Sequence, residues 1–297
     1  MSLGRGAIDQ RAGAFVTRFA PSPTGRLHLG HAYSALCAFE AAREVGGVCL
    51  LRIEDIDQTR CRPMFETAIY EDLSWLGLDW PDSVRRQSEH VAAYDAVVGD
   101  LARRGLAYRC FKTRRDIEAD IANAPHGSPT AYVRSTTPVG EDEAEARAAK
   151  GERFAWRFDA QRARDVLGDI AFMEEDLIGR PLGEVPVDPL RLGDAVLARK
   201  DALASYHIAC CHDDALQGVT HVIRGEDLRE SVHLHVCLQR LLDWPTPVYR
   251  HHRLVLGSDG KRLAKRDFSE TLSALRGSGE TPESLKERLQ NATYGAG

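Results

Sequence analysis

At 297 residues the chain is long for one compact core, so one large domain with an insertion, or two smaller domains, is expected. Hydrophobic residues make up 43% and charged residues 28%, which excludes a disordered or fibrous polymer, and no apolar run is long enough to span a membrane as a helix. The net charge of −5 excludes a simple polycation, although basic runs at Arg103–Arg115 and Lys261–Arg266 could hold phosphates locally.

In chain order, residues 1–14 are small, polar and Gly-rich, without the apolar core of a signal peptide; a frayed lead-in and a cytoplasmic protein are expected. The seven cysteines are odd in number and irregular in spacing, with no Cys-x-x-Cys pair, so reduced thiols fit better than disulfides. Phe15–Phe19 reads as a strand running into a Pro- and Gly-rich loop at Ala20–Gly25. A helix is expected from about Gly30 to Val45, stopped by Gly46-Gly47, and Val48–Ile53 is a buried-type strand. Strand, loop, helix and strand make a βαβ unit, hence an α/β protein with a parallel sheet. Pro63 opens the next helix, and another covers about Glu89–Arg104.

The middle departs from this pattern. Phe154, Trp156 and Phe158 alternate as in a half-buried antiparallel strand, so 108–201 is read as an inserted α+β subdomain between halves at 15–107 and 202–270. In the second half Val219–Ile223 is a strand, about Leu228–Leu242 a helix and Arg253–Leu256 a further strand, before a glycine turn. A short helical tail occupies 271–297.

Two motifs carry chemistry. At the first strand–helix turn, His28 and His31 lie three apart around Gly30, where a helix N-terminus offers N–H groups and a positive dipole end to phosphate. Both rings could face one side and stabilise charge on a phosphoryl group. Far along the chain, Gly260-Lys261-Arg262-Leu263-Ala264-Lys265-Arg266 is a basic turn whose lysines could swing onto the same phosphates. Between them, Glu54 sits at the carboxyl end of the second strand, facing away from Ile53; Arg52 could instead pair structurally with Asp55 or Asp57.

The run from Arg18 to His31 resembles the first signature of class I aminoacyl-tRNA synthetases, closely the glutamyl branch, and the lysine turn resembles the second, Lys-Met-Ser-Lys-Ser-type signature, with Ala264 in place of serine. The resemblance implies a Rossmann-type catalytic domain and ATP with Mg²⁺. His28, Gly30, His31, Lys261 and Lys265 would then act on ATP, with His28, His31 and Lys265 catalytic. Tyr206 and Arg224 lie in stretches similar to the family's substrate-binding segments. By that carry-over Arg18, Phe19, Ala20, Pro21, Ser22, Glu54, Tyr206 and Arg224 form a glutamate pocket. Cys210 stands where discriminating glutamyl enzymes carry asparagine.

The residues after Arg266 are too few for the helical anticodon-binding domain of a complete glutamyl-tRNA synthetase. The truncated form resembles the glutamyl-Q tRNA(Asp) synthetases, and implies a monomer that activates L-glutamate without tRNA and attaches it to queuosine of tRNA(Asp); the alternatives are a non-catalytic RNA- or nucleotide-binding paralogue and a small-molecule nucleotidyltransferase. Zinc is expected to be absent: Cys110-Phe111-Lys112 keeps one cysteine of the family's Cys-x-Cys pair, and one thiolate makes no structural site. His207, Cys210, Cys211 and His212 span too wide a helical arc to converge on a metal.

Overall fold

The computed structural model describes residues 14–113, 115–116, 138–199, 204–255 and 271–294. The first half is β1 (Val16–Phe19), α1 (Leu29–Glu44), β2 (Val48–Ile53), α2 (Pro63–Trp75), β3 (Arg85–Arg86) and α3 (Val91–Arg103). The opening βαβ unit is as expected. His28 caps α1, and the chain turns at Gly46, whose φ of +66° suits glycine. At Gly47 a side chain is excluded outright, since a Cβ would lie 2.4 Å from the Phe15 carbonyl oxygen.

The second half contributes α6 (Tyr206–Leu216), β9 (His221–Gly225), α7 (Ser231–Leu241) and β10 (Val248–His252). Strands β1, β2 and β3 pair in parallel, as do β9 and β10. The two sets meet where the Thr220 N–H donates to the Val16 carbonyl at 2.8 Å and the Val16 N–H to the Thr220 hydroxyl at 2.9 Å. Strand order reverses at this junction of β1 and β9, the switch point where open parallel sheets bind ligands. Both faces of β1 and β2 are covered, so even Thr17, Arg18 and Arg52 are buried in them.

The last strand corrects the sequence reading. The expected strand at Arg253–Leu256 is displaced to β10, and Arg253–Val255 follow it as irregular chain. Tyr249-Arg250-His251-His252 does not look like a buried strand, yet Arg250 pairs with Glu175 at 2.6 Å and His251 Nδ1 lies 2.9 Å from Glu174. Polar side chains are tolerated inside a sheet when the neighbouring strand supplies their counter-charges.

That neighbour is β6 (Ala171–Glu175), which runs parallel to β10 and carries the hairpin strand β7 (Pro181–Pro186). Both lie within the span expected to form the insert, yet they extend the main sheet. In the rest of that span β4 (Ala107–Cys110), β5 (Ala155–Phe158) and β8 (Val196–Ala198) form a second, antiparallel sheet, accompanied by α4 (Glu141–Ala149) and α5 (Ala160–Leu167); its Phe158 and Leu197 share one core with α3, α6 and α7. The tail helices α8 (Leu272–Gly277) and α9 (Pro282–Tyr294) bury Leu272, Leu275, Leu285 and Leu289 in the cluster that holds Ile69 and Leu73 of α2. A long core partner thus stabilises a segment too short to fold alone.

Candidate active site

The switch point opens into a cavity of about 590 Å³. Its wall includes Arg18, Phe19, Ala20, Pro21, Ser22, His28, Gly30, His31, Glu54, Tyr206 and Arg224, which are all the sequence-predicted site residues among those described. Strand β1 delivers Arg18 and its following loop, the start of α1 the histidines, β2 Glu54, the start of α6 Tyr206, and β9 Arg224. Lys261 and Lys265 lie outside the described residues. The chain on either side of them is at the cavity: Leu254 and Val255 line it, and Thr271 bridges to His28.

The two motif histidines cap their own helix as well as face the cavity. His28 Nδ1 accepts from the Gly30 N–H at 3.1 Å, and His31 Nδ1 accepts from the His28 N–H at 3.2 Å, a reciprocal capping box with ring centroids 3.8 Å apart. With Nδ1 accepting in both, each ring in its neutral form carries its proton on Nε2.

Beneath the cavity floor lies a charge network. Arg52 is fully buried, and donates to Asp214 at 2.7 Å, to Glu54 at 3.1 Å and to Gln217 at 3.1 Å. This replaces the pairing with Asp55 or Asp57 that the sequence allowed; Asp55 instead accepts from the N–H and hydroxyl of Ser88. Arg18 donates through Nε to the same Asp214 at 3.1 Å. Burial would raise the Asp214 carboxyl, but Arg18 and Arg52 together hold it below its ordinary value. Glu54 goes the other way: burial pushes its carboxyl up more than Arg52 and Arg18 pull it down. An arriving ammonium would reverse that imbalance.

Arg224 is different. It is 4% exposed, donates to the Leu228 carbonyl at 2.9 Å, and meets His235 Nδ1 at 3.3 Å. Its Nε has no hydrogen-bond partner among the described residues, and no carboxylate pairs with it there. A buried cation at a cavity wall with no carboxylate beside it can receive an anionic ligand.

Comparison with known proteins shows the family. The family described as tRNA synthetases class I (E and Q), catalytic domain, matches residues 14–295. A glutamyl-Q tRNA(Asp) synthetase of Rhodobacter capsulatus is 43% identical over 92% of this chain and 99% of that protein. The chain belongs to the glutamyl-Q tRNA(Asp) synthetase family. Another such synthetase, from Symbiobacterium thermophilum, is 40% identical over 92% of this chain and 84% of its own length. The crystal structure of a glutamate-tRNA synthetase from Elizabethkingia anophelis superposes with a TM-score of 0.70 at 32% identity, covering 86% of this chain and 53% of that one. The chain therefore spans about half of that longer synthetase.

The family signatures located the cavity wall but not its supports. Asp214 and His235 were missed. A signal existed for the first: Asp213-Asp214 ends an otherwise apolar stretch of α6, and two adjacent acids there mark buried charge in need of partners. Spacing along α6 alone does not bring metal ligands together, but a second helix changes the geometry. Helix α7 brings His235 to Cys210 and Cys211, with ligand atoms within 4.8 Å of one another. His212 points elsewhere, to Asp213 at 3.0 Å. The cluster is flanked by the guanidinium groups of Arg224 and Arg18, whose positive potential opposes a cation.

Several histidines of this synthetase are held neutral by burial and nearby arginines, His207 at about 4 and His251 at about 3 against an ordinary 6.5. The unfolded chain takes up these protons first as pH falls. Their contribution is therefore complete above about pH 6.5 and drains away toward pH 4, by up to about 1.4 kcal/mol per pH unit and group. The urea midpoint of unfolding should fall steadily from pH 7 to pH 4.5; a flat profile over that range would contradict the neutral assignment.

Proposed function

We propose that the chain is an ATP-dependent ligase that activates L-glutamate to glutamyl-adenylate without tRNA and transfers the glutamyl group to queuosine of tRNA(Asp), working as a cytoplasmic monomer. The observation that carries the amino-acid half is Arg224, buried at the cavity wall with no carboxylate of its own. With Arg18, whose Nε is engaged by Asp214, it grips the two carboxylates of a dicarboxylic acid, while Glu54 takes the ammonium. A glutamine side chain would leave such an arginine unpaired, which disfavours the amide. The near end-to-end likeness to a glutamyl-Q tRNA(Asp) synthetase supports the acceptor half.

In the first step the α-carboxylate of glutamate attacks the α-phosphorus of ATP and pyrophosphate leaves. The N-terminus of α1, His28, His31, Lys261 and Lys265 stabilise the charge on the phosphates, which Mg²⁺ accompanies; none forms a covalent bond. In the second step an acceptor hydroxyl attacks the anhydride carbonyl carbon and AMP departs. We assign no zinc to the insert, because Cys110 is the only cysteine between Cys61 and Cys210.

The test is ATP–pyrophosphate exchange with no tRNA present, followed by labelling. Exchange should depend on glutamate, and labelled glutamate should appear on queuosine-containing tRNA(Asp) and not on the queuosine-free transcript. Exchange with glutamine or aspartate in preference to glutamate would sink the amino-acid assignment. Equal labelling of both tRNAs would sink the acceptor.

A further inference from the structure

The Arg224 guanidinium is held on one side by a buried chain of two imidazoles. NH1 of Arg224 lies 3.3 Å from Nδ1 of His235, and Nε2 of His235 lies 3.0 Å from Nδ1 of His207. An arginine can only donate, so His235 Nδ1 must accept. Its proton then sits on Nε2 and is donated to His207 Nδ1, which fixes the His207 proton on its own Nε2. One pattern of donors runs Arg224 to His235 to His207, and it requires both rings to be neutral.

Burial and the surrounding arginines favour that state. Helix α6 contributes His207, Tyr206 with its ring centroid 5.8 Å away, and Cys210 with Sγ 3.9 Å from Nε2. Arg224 from β9 and Arg18 from β1 add positive charge, and Tyr249 from β10 packs under the Arg224 guanidinium at 5.5 Å. No carboxylate touches either ring among the described residues. A carboxylate in place of His235 would neutralise Arg224 and compete with substrate. A neutral imidazole orients the guanidinium while leaving its charge uncompensated.

We propose that His235 and His207 are positioning residues that aim Arg224 at a substrate carboxylate and keep it available as a cation. The idea rests on glutamate being the substrate of this cavity, but one of its tests does not. In protein labelled with ¹⁵N-histidine, both rings should be neutral Nε2–H tautomers at pH 7, with the His235 signals assigned through their loss in His235→Asn. A charged His235, or a proton on its Nδ1, overturns the proposal whatever the substrate is.

The kinetic test uses glutamate-dependent pyrophosphate exchange. His235→Leu removes the acceptor and should raise the glutamate KM about 10-fold or more, with the ATP KM unchanged. His235→Asn places an amide oxygen near the Nδ1 position and should restore most of the loss. An unchanged glutamate KM in His235→Leu, an equal rise for ATP, or no rescue by asparagine overturns the proposal. Should His235→Leu not fold, His207→Phe keeps an aromatic ring, removes the acceptor that sets the tautomer, and should raise the glutamate KM alone. If wild-type protein shows no glutamate exchange, the substrate assignment fails, and the tautomer measurement still decides the histidine pair.

Discussion

Asp214→Ala is expected to cost this protein about 3–5 kcal/mol of stability and essentially all of its glutamate-dependent exchange, because one carboxylate serves two buried guanidinium groups. Arg18 and Arg52 both donate to it, and Arg52 is fully buried. Removing the acid leaves Arg52 with Glu54 and Gln217, and leaves Arg18 with no carboxylate partner among the described residues. Two like charges then lie under the cavity without a shared counter-ion. Glu54 would be drawn more fully into pairing with Arg52 and away from a substrate ammonium. The expectation is a large drop in the urea midpoint together with loss of pyrophosphate exchange. Asp214→Asn keeps shape and hydrogen-bonding capacity but not charge, so it separates the two contributions. A variant with wild-type stability would mean that Glu54 alone can neutralise both arginines.

Arg224→Leu should leave the fold nearly intact and lower kcat/KM for glutamate by about 10²–10³-fold, the loss expected when one partner of a buried charged pair is truncated. The reasoning is the reverse of that for Asp214. Arg224 has no carboxylate partner among the described residues, so removing it strands no protein charge there; only the Leu228 carbonyl and His235 lose a donor. The loss therefore falls on substrate binding. Glutamate and glutamine should become less well distinguished, because discrimination depends on the carboxylate gaining what the amide cannot. Steady-state exchange with both amino acids, beside direct ATP binding, reads the effect. Equal losses for ATP and glutamate would move Arg224 out of the amino-acid pocket.

How much of this was legible beforehand differs from residue to residue. The βαβ opening was readable because β1 and β2 are buried on both faces and α1 carries its own start and stop signals at His28 and Gly46-Gly47. Strand β10 was not, because its Arg250 and His251 are stabilised by Glu175 and Glu174 on β6, a strand 75 and 77 residues earlier in the chain. The same separation misplaced β6 and β7 in the insert. Hydrophobic periodicity reports what a segment buries, and it is silent when a distant strand makes burial of charge tolerable.

By itself the sequence named residues that line the cavity: His28 and His31 at a helix start and Glu54 at a strand end from local pattern, and Arg18, Tyr206 and Arg224 through the family resemblance. Helix-start and strand-end geometry, which short-range patterns encode, set the first three of these positions, and the family signatures supplied the rest. Only the tertiary structure decided which of the two arginines is already neutralised. Asp214 on α6 meets Arg18 on β1, whereas Arg224 on β9 meets the uncharged His235 on α7. Those partners lie 196 and 11 residues away, and nothing in the spacing distinguishes a counter-ion from a neutral support. Packing of separate elements makes that distinction, because a buried charge is governed by what lies within a few ångströms in space rather than along the chain.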